Sequence, residues 1–200
     1  MKTLILAAIR CSLMFTAVTS LVCVQPAQAY TVTLQQIGSN VVANGSGAIN
    51  LTGLTLSFPS AFSGAVVFAS VGQIETGPAS ALVDGYTGFA GPTSFGSGGL
   101  FFPNTGSGDF VGLDATGVPF IAVPQGYVSG AALSDSMTFN NETFAAMSLT
   151  PGTYVWTWGT GLPNQNFTLI IPGVPDGGTT VSLLGFALLG LAALRRKLGC

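Results

Sequence analysis

Two groups of side chains in this 200-residue chain have types and spacings that could do chemistry. The first is the carboxylate pair Asp109 and Asp114, set in Gly-Ser-Gly-Asp-Phe-Val-Gly-Leu-Asp-Ala-Thr-Gly. Carboxylates in glycine-rich loops can ligate Ca²⁺ together with backbone carbonyls. Their spacing fits no calcium loop, so solvated turn residues are the expected role. The second is Tyr154, Trp156 and Trp158, which alternate along one extended stretch and share a face, with Val155 and Thr157 on the other. Such a ladder of rings could stack on sugars. Each ring also buries a large apolar area, and the core face of a strand is the expected role. Acid-base glycoside hydrolysis would need two carboxylates at a defined separation across a cleft, and nothing in the spacing pairs any two.

What the chain lacks narrows the chemistry further. There is no histidine, and all five basic residues (Lys2, Arg10, Arg195, Arg196, Lys197) lie near the ends. Cys11, Cys23 and Cys200 also sit near the ends. Residues 30–175 therefore offer no Ser-His-Asp or Cys-His nucleophile, no Schiff-base lysine, no arginine clamp and no thiolate or imidazole zinc site. The same stretch carries six carboxylates (Glu75, Asp84, Asp109, Asp114, Asp135, Glu142) and no Lys or Arg, a formal charge of 0 − 6 = −6. It cannot hold a nucleic-acid backbone by charge. A non-enzymatic protein without cofactor or metal is expected.

The elements that must position these residues are strands. Residues 30–175 hold 23 of the 28 glycines with many Thr, Ser and Val, and aromatics are too frequent for a disordered linker. Apolar or alternating stretches at 31–37, 47–52, 54–58, 65–73, 110–113, 119–123, 127–133, 153–158 and 167–171 predict eight to ten strands in one all-β domain over residues 30–171. A single antiparallel β-sandwich or jelly roll accommodates them. Gly38-Ser39-Asn40 predicts a turn into Val41-Val42, and Thr150-Pro151-Gly152 another. The Gly/Pro/Ser-rich stretch 77–105 reads as a long loop, and 134–147 has room for one short turn of helix.

The two ends read as addresses. Residues 1–29 have the plan of a secretory signal peptide: Lys2 and Arg10, the apolar run Cys11 to Val24, then the small-residue site Ala27-Gln28-Ala29, which places the cut before Tyr30. The run is shorter than the ~20 residues of a spanning helix, which argues against a retained anchor. Leu21 and Val22 are too bulky for lipid attachment at Cys23. At the other end, 172–180 is a Pro/Gly linker, and 181–200 is an apolar run, Val181 to Leu194, closed by Arg195-Arg196-Lys197. Fourteen helical residues reach only about 21 Å, short for a permanent transmembrane helix across ~30 Å of hydrocarbon. Thr179, Thr180 and the snorkelling basic side chains lengthen it, and the cations hold that end on the cytoplasmic side.

Val174, Pro175, Asp176, Gly177 and Gly178, followed by an apolar helix and a terminal basic cluster, resemble the PEP-CTERM class of bacterial sorting signals in its VPDSG variant. Gly177 replaces the serine of that variant. The resemblance implies export through the Sec translocon, cleavage by signal peptidase and transient retention in the inner membrane of a Gram-negative-type bacterium. Processing by an exosortase near Pro175-Asp176, and delivery to the cell envelope or exopolysaccharide matrix, would follow. Gly177-Gly178 before an apolar helix is also similar to the signal read by rhomboid-type sorting proteases. The body resembles a domain of unassigned activity that recurs in PEP-CTERM proteins, through Val83-Asp84-Gly85-Tyr86-Thr87-Gly88, Phe95-Gly96-Ser97-Gly98-Gly99, Val128-Ser129-Gly130 and Gly152-Thr153-Tyr154-Val155-Trp156-Thr157-Trp158-Gly159. A matrix component and a carbohydrate-binding module both remain open at this point.

Overall fold

The computed structural model describes residues 28–173. They form two seven-stranded sheets. In chain order the strands are β1 (Tyr30–Ile37), β2 (Asn40–Ala48), β3 (Thr55–Ser63), β4 (Val66–Phe68), β5 (Gln73–Thr76), β6 (Ala81–Thr87) and β7 (Phe89–Ala90). They continue as β8 (Leu100–Phe101), β9 (Thr105–Gly108), β10 (Val111–Asp114), β11 (Phe120–Pro124), β12 (Ala132–Phe139), β13 (Gly152–Trp158) and β14 (Asn166–Ile171). The first sheet has the order β7-β13-β14-β1-β2-β12-β9, the second β3-β6-β11-β10-β5-β4-β8.

One apolar cluster joins the sheets face to face. Val32, Leu34, Val41, Trp156 and Phe167 of the first sheet meet Val67, Ile74, Val111, Leu113, Ile121 and Val123 of the second. The period of two explains the choice: β14 buries Phe167, Leu169 and Ile171, while the residues between them stay half-exposed. The all-β sandwich expected from the sequence is present, with fourteen strands rather than eight to ten and a further correction. It is not wholly antiparallel, because β1 and β14 pair in parallel, Tyr30 opposite Phe167 and Thr33 opposite Ile170. A parallel pair needs a long connection, and here that connection is the entire domain.

Several local expectations also change. The stretch 77–105 is not a loop: it holds β6, β7 and β8 and reaches the start of β9. Its glycines mislead because one of them marks packing. A Cβ on Gly85 would lie 2.0 Å from the Phe58 ring, so the glycine lets an aromatic lie flat on β6. Residues 127–131 form turns rather than a strand, pinned by the Tyr127 hydroxyl, which donates to the carbonyl of Ala131. The run 65–73 breaks at a 3₁₀ turn, Ala69–Val71, between β4 and β5. The strand expected at 47–52 ends with β2 at Ala48, and 134–139 belongs to β12. Beyond it, only the Met147 N–H bond to the Thr143 carbonyl closes a single helical turn.

Ala27, the motif Val174 to Gly178, the run 181–194 and the basic cluster Arg195, Arg196 and Lys197 lie outside the described residues. Among the described residues, no helix is long and apolar enough to cross a membrane.

Candidate functional site

Strand β13 carries both tryptophans of the chain. Trp156 is fully buried and packs edge-to-face on Phe167 at 5.8 Å. Trp158 is 6% exposed. Each indole N–H is spent internally, Trp156 on the carbonyl of Pro92 and Trp158 on that of Asn50, both at 2.7 Å. Tyr154 is half-buried against Phe95, and its hydroxyl donates to the carbonyl of Thr150 at 2.9 Å. The sugar-stacking role considered for Tyr154, Trp156 and Trp158 is corrected for the tryptophans, which are core residues, while Tyr154 packs half-buried at the core's edge.

The opposite face of β13 opens instead on a shallow cleft of ≈ 660 Å³. Val155, Thr157 and Trp158 of β13 line it, together with Gly88, Phe89 and Ala90, residues of the loop 159–165 and Asn166. That loop is organised by a buried amide. Gln165 Oε1 accepts the N–H groups of Thr160 (3.0 Å) and Leu162 (2.8 Å), while its Nε2 donates to the carbonyl of Thr52 (2.6 Å). Gly159 turns under it at φ +65°, and any Cβ there would stand 2.3 Å from Gln165 Nε2. No charged residue lines the cleft, which suits an uncharged ligand. The sequence reading missed it. The available signal was Gly159-Thr160-Gly161-Leu162-Pro163 between the last two strands.

The acidic residues divide into two kinds. Asp114 Oδ1 accepts the N–H and hydroxyl of Thr116 (2.9 and 3.3 Å), Asp109 Oδ2 the N–H of Ser134 (2.8 Å), and Asp84 the N–H groups of Ser60 and Gly126 (2.9 and 2.8 Å). The Asp114 bonds form a local turn, those of Asp109 and Asp84 fasten backbone segments distant in sequence, and the two bonds to Asp84 hold its carboxyl below the usual range. Asp109 and Asp114 are not brought together with a third ligand: among the described residues no group of three His, Cys, Asp or Glu could hold a metal ion.

Glu75 and Asp135 are buried, a placement the spacing did not reveal. Glu75 takes bonds from Ser63 Oγ (2.8 Å) and Gln73 Nε2 (3.3 Å), and burial still pushes its carboxyl upward. Asp135 on β12 bonds the hydroxyl of Tyr30 on β1, which in turn meets Thr76 Oγ1 on β5 at 3.1 Å. Thr76 donates onward to the carbonyl of Val111 (3.0 Å), so the chain of bonds crosses from one sheet to the other. Asp135 Oδ1 is buried without a partner, and desolvation raises the carboxyl from 3.8 to about 6.

Residues 173–198 match the family model of the VPDSG-CTERM motif, a PEP-CTERM-type sorting signal variant. No curated protein and no solved structure matches the chain.

Proposed function

We propose that this chain is a non-enzymatic protein exported to the cell envelope or extracellular matrix, cut at its C-terminus by an exosortase-type enzyme after transient retention in the inner membrane. The observation that carries the reading is the VPDSG-CTERM match, which begins at residue 173, two residues after β14 ends at Ile171. The folded body thus runs directly into the address, with no further domain between. A body of formal charge −6 without Lys or Arg is repelled by anionic polymers, so any polysaccharide it packs among would be a neutral one.

Replacing Arg195, Arg196 and Lys197 by neutral residues tests it. Cations are costly to move through hydrocarbon and hold a short apolar run in place, so the variant should leave the membrane fraction with its tail uncut. Unchanged retention and processing would sink the reading.

A second reading, a carbohydrate-binding module, draws on the uncharged cleft. Titrating an uncharged oligoglucan into the isotopically labelled domain should then shift the amide signals of Thr157, Asn166 and Leu162. Shifts absent or scattered over the surface would dismiss it.

A further inference from the structure

We propose that the fold itself closes the signal-peptidase site, so that the leader must be cut from a chain whose first sheet has not yet formed. The inference rests on reading residues 1–29 as a cleaved signal with Ala29–Tyr30 as the scissile bond. In the folded domain that bond lies inside the sheet. Ala48 donates its N–H to the carbonyl of Gln28 at 2.8 Å, Ala29 bridges Ala48, and the Ala29 carbonyl accepts the hydroxyl of Thr31 at 3.3 Å. Gly47 of β2 lies flat against the bond: a Cβ there would stand 2.6 Å from both the Ala29 oxygen and the Tyr30 Cα, at φ +131°. On its other side β1 is held by β14, and the Tyr30 ring packs on Phe167 at 5.3 Å.

A protease binds its substrate as an extended segment that pairs through the backbone and sets side chains into pockets. Here both edges of β1 are already taken, by β2 and β14. The side chain just after the cut is fully buried, with its hydroxyl between Asp135 and Thr76. The bond lies at the N-terminal end of β1, so exposing it means peeling that end of a central strand from β2 and β14 together and lifting the Tyr30 ring out of the core. Cleavage must therefore precede folding, and a chain that folds first keeps its leader. A cut one residue later would remove Tyr30, a fully buried side chain, from the core.

The test uses cells in which signal peptidase can be switched off and then restored. Folding is scored by resistance to thermolysin, since no Lys or Arg between residues 11 and 194 offers trypsin a cut. Precursor accumulated without the peptidase should be thermolysin-resistant. After restoration it should be cut at least about a hundredfold more slowly than newly made chain, following the rarity of the open state. Gly47→Val, which cannot close over the bond, should restore cutting of the accumulated precursor. If that variant does not fold, wild-type precursor unfolded in urea and diluted onto purified peptidase serves instead: it should be cut, and the native precursor should not. A thermolysin-resistant precursor cut as fast as new chain overturns the proposal. So does a thermolysin-sensitive one, because the fold would then not form over the leader. Absence of any cut in newly made chain, or a start other than Tyr30, defeats the signal-sequence reading instead.

Discussion

Asp135, Tyr30 and Thr76 present a counting problem in protons. With Asp135 ionised, the Tyr30 proton goes to the carboxylate and the Thr76 proton to the Val111 carbonyl, which leaves the 3.1 Å contact between the two hydroxyls without one. With Asp135 neutral, its own proton completes the series from Asp135 to Tyr30 to Thr76 to Val111. Burial works in the same direction, because the unpartnered Oδ1 costs less as part of a neutral acid. The folded carboxyl at about 6 stands above its ordinary 3.8. Its stabilising contribution is therefore complete below pH ~4, is lost as pH rises through ~6 and stays lost above, a difference of up to about 3 kcal/mol. Glu75, also raised, adds in the same direction. Urea unfolding from pH 4 to 8 should show this fall, and Asp135→Asn, which keeps a donor and an acceptor, should remove Asp135's share of it, leaving the smaller fall from Glu75, and match or exceed wild type at pH 7.5. A domain equally stable across that range would contradict the assignment. None of this was legible in the sequence, since the two partners are 105 residues apart and only the pairing of β1 with β2 and β2 with β12 brings them together.

Strand β13 and its following loop show how far an element can be read from sequence. The alternation of Tyr154, Trp156 and Trp158 correctly indicated one buried face, and β1, β10, β11 and β14 lie close to where their apolar runs placed them. Strand β6 was not legible, because Gly85 serves the Phe58 ring, and glycine signals a turn whenever its packing partner is unknown. The cleft was hidden for a related reason: it depends on the long-range bond from Gln165 to Thr52. Gln165→Ala would strand the N–H groups of Thr160 and Leu162 and should lower stability by about 1–3 kcal/mol, measured by thermal unfolding. Gly159→Val adds a side chain at positive φ against that amide and should cost at least as much. Because both tryptophans sit buried in β13, their fluorescence should be blue-shifted and poorly quenched by acrylamide. Efficient quenching would show that the face is solvent-exposed instead.

At the scale of the molecule, the parallel pairing of β1 and β14 fixes the polarity of the body. The chain enters beside the 159–165 loop, where Tyr30 faces Phe167, and leaves at the other end, where Ile171 faces Gly152. The cleft therefore lies at the end of β14 away from Ile171. Residues 30–171 contain no cysteine and no cation, so the isolated domain should be indifferent to reductant. Salt should stabilise it by screening its six carboxylates, with Ca²⁺ no more effective than Mg²⁺ at equal concentration. A melting temperature raised sharply by micromolar Ca²⁺ alone would instead make Asp109 and Asp114 a binding site. Both expectations concern the body, whereas the proposal of an exported, tail-processed protein stands or falls at the two ends. Mass spectrometry of the intact, undigested protein from cells and medium reads both termini at once. The account predicts a chain that starts at Tyr30 and ends within or near residues 174–178, with any attached group at that new end. A protein recovered with Cys200 still in place in every fraction would contradict it.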